Sequence, residues 1–225
     1  MIHKCQSIDD SPTLAYFSAY LVCAAASFNG NMSTWNTSSV TTMYGMFAGA
    51  LQFKGVGLES WDVSSVTDMS AMFYIGFGLD FVDLSRWNTS SVTNMNAMFA
   101  AANTFHDGGI GAWDVSRVTD MRGMFYYAIA FNGDLSNWDV SSVRDMSIMF
   151  EFAASFNQPL SSWNITNSTI LLGMFSHSTS FNQDLCSWGE YFPYDTAGNI
   201  FVDSGCTFRD DPNEEDKGPF CASSC

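Results

Sequence analysis

Basic residues are scarce in this sequence. Lys and Arg total 8 against 23 Asp and Glu, and the formal net charge is −15. Nucleic-acid binding and attraction to an anionic membrane both need clustered cations, so the composition argues against both. No apolar run reaches the roughly 20 residues of a membrane-spanning helix, and the chain is predicted to have no transmembrane segment. The apolar stretch 14–26 follows Asp9 and Asp10, which favours a degenerate first coil over a signal peptide.

Cysteine is absent from the whole middle of the chain, residues 24–185. An even number of cysteines confined to the two ends predicts disulfides in an oxidising compartment. Free buried thiols are the alternative, and no CxxC pair or neighbouring His supports a zinc site. Cys5–Cys23 is the one pairing that we predict, because those two residues share an end. The six cysteines are Cys5, Cys23, Cys186, Cys206, Cys221 and Cys225.

Asn-x-Ser/Thr triplets offer possible glycan acceptors if the protein is secreted by a eukaryote. A chain rich in Ser and Thr also produces such triplets by chance. The five sites are Asn31, Asn36, Asn88, Asn164 and Asn167.

A repeat of 25–26 residues dominates the sequence. Twelve residues after each of the first six tryptophans stands a Phe that is always preceded by Met. The interval from Trp to Phe never varies, so the change of one residue in repeat length falls in the segment that returns to the next Trp. Such a fixed period predicts a solenoid of stacked units. The seven tryptophans are Trp35, Trp61, Trp87, Trp113, Trp138, Trp163 and Trp188.

One repeat illustrates the secondary structure that the pattern predicts. Leu135, Trp138 and Val140 have the spacing of a leucine-rich-repeat strand, with Trp and Val pointing inward. Apolar residues between Val143 and Ala153 then recur on one face of a helix. The predicted fold class is therefore α/β: a leucine-rich-repeat-like solenoid with short parallel strands on one face and short helices on the other, and 25–26 residues per coil.

The repeated run WDVSSVxDMSxMFxxAxxFNxxLSxW resembles the BspA-like leucine-rich-repeat surface-protein family. The resemblance covers about residues 28–188, with departures at Ser168 and Leu171. It implies a secreted or cell-surface protein with a role in recognition or adhesion. The ending, with SGC and GPFCASSC, resembles the cysteine-bearing cap of secreted algal and protist versions. The predicted organisation is an N-terminal cap at 1–27, six repeats and the start of a seventh at 28–188, and a degenerate coil with a disulfide-braced cap at 189–225.

The residue after each of the first six tryptophans is always Asn or Asp. If the coils stack in register, these side chains form a solvent-facing ladder that binds a cation or the hydroxyls of a sugar. The alternative is structural, because stacked Asn side chains bond one another and cap turns. The overall field favours cations and neutral polar ligands over anions. The ladder consists of Asn36, Asp62, Asn88, Asp114, Asp139 and Asn164.

Other candidate chemistry is weaker. Paired methionines in MxxM are able to bind Cu(I), but their place beside Phe favours core packing. For the tryptophans the alternative to burial in the core is exposure at the surface, where their rings would stack on sugars. No His motif supports a nucleophile, and we predict no enzyme activity and no cofactor or metal. We expect a non-catalytic extracellular recognition or adhesion module whose partner is a protein or polysaccharide at the cell surface. The alternatives are a structural spacer without a specific ligand and a secreted glycan-active enzyme.

Overall fold

The structure is a computed structural model and describes residues 26–166, 169–215 and 217–223. The predicted N-terminal cap, the Cys5–Cys23 pair, Cys225 and the Asn167 site lie outside the described residues, apart from the last two residues of the cap. The regular elements within the described ranges are four short 3₁₀ helices: Leu58–Ser60, Ile110–Ala112, Cys186–Tyr191 and Tyr194–Thr196.

Each coil is a succession of tight turns. In the coil that begins at Leu135, backbone N–H groups donate to the carbonyl three residues earlier at Trp138, Val143, Met149, Ala153 and Phe156. A bond between residues i and i+3 defines a β-turn. In most of these turns the first and the last residue are both buried. The chain therefore winds around the core in consecutive β-turns, and about every third side chain points inward.

Successive coils stack in parallel and are joined by backbone hydrogen bonds. The N–H groups of Met146, Ile148, Phe150 and Phe152 donate to carbonyls of the next coil at 2.8–3.0 Å. Isolated parallel bridges join the residue seven positions after each Trp to its equivalent in the next coil. The bridges run through Thr42, Asp68, Asn94, Asp120, Asp145 and Ile170.

The predicted α/β class is wrong. Within the described ranges there is no α-helix and no extended strand, so the fold is not a solenoid of parallel strands and helices. The segment 143–153 is predicted from the sequence as a helix. Its N–H groups instead donate in alternation to carbonyls of the neighbouring coil and to carbonyls within its own β-turns. Around Trp138 inward and outward side chains alternate as predicted, but no ladder of backbone bonds makes a strand there. The stacking of 25–26-residue coils remains.

Aromatic rings stack along the core from coil to coil. Equivalent Phe rings of the Met-Phe positions lie 5.3–6.1 Å apart from Phe47 to Phe201. In five coils this Phe also stacks on a second Phe of the same coil, with ring centroids 3.9–4.1 Å apart. Phe125 and Phe131 are one such pair. Every Trp from Trp61 onward is at most 4% exposed. The prediction that these tryptophans are buried is confirmed, and the MxxM residues also pack in this core, with Met46 partly buried.

The turns require left-handed backbone at two positions of every coil. The tenth and fourteenth residues after Trp have positive φ in all six repeats, starting with Gly45 and Gly49. Only glycine adopts this region without steric cost. Several coils nevertheless place larger residues there, including Ile75, Tyr127 and Phe152. The fold therefore carries a recurrent local strain that packing between coils has to offset.

The C-terminal residues close one end of the stack. Phe201 extends the Phe ladder, and Cys206 forms a disulfide with Cys221, both of them buried. Cys186 is also disulfide-bonded. An antiparallel bridge joins Asp184 to Cys221. These contacts cover the apolar face that the last full coil would otherwise leave open.

Candidate functional site

The six residues of the Asn/Asp ladder are all solvent-exposed. The residues on either side of Asp114, namely Trp113 and Val115, are buried. Because consecutive coils are hydrogen-bonded in register, the six exposed side chains follow one another from coil to coil along one surface. The six side chains thus lie in a single line, and their role in binding a ligand stays a prediction.

Most of the ladder side chains also hold a turn. The Oδ1 of Asp114 accepts bonds from the Ser116 N–H at 3.0 Å and from the Ser116 hydroxyl at 2.6 Å. Asn36, Asp62 and Asn88 accept the same pair of bonds from Ser38, Ser64 and Ser90, and Asp139 accepts the N–H of Ser141. These are Asx turns. The turn-capping role that the sequence left open is therefore observed at Asn36, Asp62, Asn88, Asp114 and Asp139.

These bonds change the acidity of two ladder carboxyls. The hydroxyl bond from Ser116, followed by the N–H bond of the same residue, lowers the pKa of Asp114. Ser64 lowers the pKa of Asp62 in the same way. Hydrogen bonds to the ionised form are the physical cause. Both side chains are therefore anionic acceptors that are already partly occupied by their own turn.

A groove of about 540 Å³ lies directly beside the ladder, at the third to sixth positions after Trp in coils three to six. Its volume is in the range of small-molecule sites, roughly 300–1,000 Å³. The lining residues are mostly Ser and Thr, together with Val143 and two arginines; they include Ser116, Arg117, Thr119, Ser141, Ser142 and Arg144. Because Ser116 lines the groove and also bonds to Asp114 of the ladder, the groove and the ladder adjoin and form one polar surface, here called the polar strip.

Both arginines of the groove interrupt an otherwise regular pattern. The fourth residue after Trp is Ser in four of the six repeats, and Arg117 stands there in coil four. The sixth residue is Thr in five of six repeats, and Arg144 stands there in coil five. Sequence reasoning missed both residues. Their departure from the repeat pattern was the available signal.

A second surface feature, also missed from the sequence, is a column of stacked rings. Tyr127, Phe152 and His177 occupy the fourteenth position after Trp in three successive coils, with centroids 4.3 and 4.4 Å apart. All three have positive φ. The His177 Nδ1 lies 3.6 Å from Asp203, and burial raises the pKa of nearby Glu151, partly opposed by His177. Stacking of this kind is worth about 0.5–1.5 kcal/mol per pair, which helps to offset the backbone strain.

The remaining chemistry-bearing residues do not form a further site in the described part of the chain. No group of three His, Cys, Asp or Glu in the described ranges has the arrangement to hold a metal ion. His106 is exposed, and its carbonyl accepts the N–H of Asn132. A search of the described helices finds none that is long and apolar enough to cross a membrane.

Comparison with known proteins places the chain in a family. A family model described as "Mycoplasma protein of unknown function, DUF285" matches residues 19–107 and again residues 103–193. The two matches together cover most of the chain and fall on the Trp-containing repeats. No curated protein and no solved structure matches the chain. The chain belongs to the DUF285 family of repeat proteins.

Proposed function

We propose that this protein is a non-catalytic recognition module that binds an extended polymer, a polysaccharide or a protein segment, at the outside of a cell. The observation that carries the proposal is the polar strip, which runs in register across the coils and opens into a groove of about 540 Å³. A surface that repeats once per coil matches a ligand that also repeats along its length.

Three further observations support the extracellular assignment. The Cys206–Cys221 disulfide is of a type that persists in oxidising compartments. The repeat motif resembles that of BspA-like leucine-rich-repeat surface proteins, for which adhesion and recognition have been proposed. The cysteine-rich ending, similar to that of secreted algal and protist relatives, points to the same compartment.

The ladder residues act as acceptors in this proposal. Asp114 keeps part of its acceptor capacity, because its bonds to Ser116 involve only Oδ1. A carboxylate has about four acceptor sites on two oxygens. The second oxygen can therefore accept hydroxyl or amide protons from a bound polymer while the turn stays intact.

A glycan and protein array that is probed with the oxidised chain tests the proposal. Ser142→Tyr fills the groove at an exposed position, and we expect it to abolish or strongly weaken whatever binding the array detects. Ser39→Tyr is the matched control, because Ser39 is exposed at the same repeat position in coil one, away from the groove.

Binding that is unchanged in Ser142→Tyr would place the recognition surface elsewhere. An array without any signal for the folded, oxidised chain would favour a structural spacer and contradict the proposed function.

A further inference from the structure

We propose that the groove binds the oxyanion groups, carboxylate or sulfate ester, of an acidic polysaccharide, and that Arg117 and Arg144 hold them. The inference rests on the proposed function and specifies its ligand class. It also differs from the expectation that the net charge gives, since a chain of charge −15 would favour cations or neutral ligands.

The convergence of the two arginines is the first argument. Each replaces a hydroxyl residue of the repeat pattern, one at the fourth and the other at the sixth position after Trp, and in different coils. Both line the same groove. The chain has only eight basic residues in all, so two that meet across a coil boundary concentrate positive charge at one place.

Among the residues that the structure describes, neither guanidinium takes part in an ion pair. Both arginines are exposed, and no carboxylate in the described ranges lies within 4.0 Å of their side-chain nitrogens. The sixth position has a structural role as a threonine ladder, in which the hydroxyls of Thr67, Thr93 and Thr119 each donate to the carbonyl of the Thr one coil earlier. Arg144 keeps the backbone bond to the Thr119 carbonyl at 2.9 Å and places its side chain in the groove.

The chemistry of the pair selects an oxyanion. A guanidinium offers a planar fork of donors that matches carboxylate and other oxyanions. Two of them on neighbouring coils can each hold one charged group, or both hold the same one. Salt reduces the repulsion from acidic residues far from the groove, since the Debye length is about 8 Å at physiological salt. Asp114 and Asp139 lie beside the groove, bonded to its residues Ser116 and Ser141, and their free oxygens can accept protons from sugar hydroxyls. The proposal therefore requires direct guanidinium contacts with the oxyanion, which the two arginine variants test.

The remainder of the groove favours a sugar over an acidic peptide. Ser141 and Ser142 are exposed and line the groove with the two arginines. Thr93 and Thr119 line it too, and their hydroxyls, which donate to backbone carbonyls, can still accept protons. Hydroxyls both donate and accept, as vicinal sugar hydroxyls do. The backbone N–H groups of Thr119 and Arg144 are already bonded to the preceding coil, and that of Val143 closes its own turn. The groove therefore offers few free main-chain donors to an added peptide strand.

The test measures binding of paired oligosaccharides to the full, oxidised chain by calorimetry at about 150 mM salt. Oligogalacturonate is compared with its methyl-esterified form, and sulfated dextran oligosaccharide with unsulfated dextran. The variants are Arg117→Ser and Arg144→Thr, which restore the repeat pattern and so preserve the turns. Arg122→Ser is the control, because it removes the same charge from coil four outside the groove.

We expect at least one anionic member to bind and its neutral partner to bind at least tenfold more weakly, roughly the effect of losing one charge-assisted bond. Each groove variant should weaken anionic binding about tenfold, and Arg122→Ser should not. A preference for oligogalacturonate identifies the carboxylate as the group bound, and a preference for the sulfated dextran identifies the sulfate.

Three results would overturn the inference. Neutral and anionic oligosaccharides that bind equally, or groove variants that bind like the parent, would refute the arginine role while leaving recognition by the strip intact. Binding of poly-glutamate but of no saccharide would assign the groove to an acidic peptide instead. A parent chain that binds no polymer at all would contradict the proposed function as well.

Discussion

The indole Nε1 of Trp138 donates a 3.0 Å hydrogen bond to the carbonyl oxygen of Ile110, 28 residues earlier in the preceding coil. Every Trp from Trp61 to Trp188 makes the equivalent bond to the coil before it. Each Trp therefore fills its own coil and also satisfies a buried carbonyl of its neighbour, which couples adjacent coils.

Replacing Trp138 by Ala should destabilise the protein by about 3–5 kcal/mol, because a buried ring is lost and a cavity is left. Trp138→Phe should lose less, mainly the bond to Ile110, at about 1–3 kcal/mol. Chemical denaturation measures both differences. Asn137→Ala, at an exposed neighbouring position, is the control. A loss in Trp138→Ala no larger than that of the control would contradict the buried coupling.

The left-handed turn positions give a second prediction. Ala101 has φ of 56°, and Ala101→Gly should stabilise the chain by about 0.5–1 kcal/mol, since the relief of steric cost exceeds the added backbone entropy. Ala112→Gly is the matched control. Ala112 is exposed in a 3₁₀ helix and is not among the positive-φ residues, so the same change there should destabilise the chain by a similar amount. Equal effects at the two positions would show that the strain is absent.

The repeat period and the buried residues were predictable from the sequence, because a fixed Trp-to-Phe interval states which positions face inward. The secondary structure was not. Buried residues at i and i+3, such as Val143, Met146 and Met149, fit an amphipathic helix and a series of β-turns equally well. The turns need residues with left-handed backbone. Gly45 and Gly49 indicate such positions in the first coil, but other coils have alanine there, which hides the pattern.

The ladder was predictable for a related reason, and the groove was not. A residue that is Asn or Asp in every repeat stands out, and its exposure follows from alternation with buried neighbours. Arg117 and Arg144 occur once each, so no periodic pattern indicates them. Only the stacking of coils shows that residues 27 positions apart line one cavity.

The C-terminal disulfide gives a third prediction. Cys206→Ala combined with Cys221→Ala opens a loop with a sequence separation of 15, and the chain-entropy account puts its loss at about 3 kcal/mol. Denaturation with and without reductant measures the loss of unfolding free energy. Any effect of the reductant that persists in the double variant comes from other disulfides. A parent chain whose stability reductant leaves unchanged would contradict a stabilising role.

The Cys5–Cys23 disulfide stays a prediction, and peptide mapping of the non-reduced protein tests it.

The last prediction concerns the acidity of the ladder. Ser116→Ala removes the hydroxyl bond that contributes most to lowering the pKa of Asp114, so that pKa should rise toward its ordinary value of 3.8. A carboxyl whose pKa is lowered in the folded state adds stability above the unfolded pKa, and that stability is lost as the pH falls through the folded pKa. Ser116→Ala should therefore be less stable than the parent at pH 7, and the difference should vanish under acid conditions below both pKa values.

Carboxyl-carbon NMR titration measures the pKa of Asp114 directly, and thermal melting at several pH values measures the stability difference. Ser142→Ala is the control, because Ser142 lies in the same groove and no bond joins it to Asp114. A pKa of Asp114 that stays low in Ser116→Ala would show that another group lowers it.

Asp114→Asn should keep the turn, since Asn36 and Asn88 make the same bonds. If Asp114→Asn is as stable as the parent at pH 7 yet binds its polymer more weakly, the charge of the ladder serves the ligand and the turn needs only the oxygen.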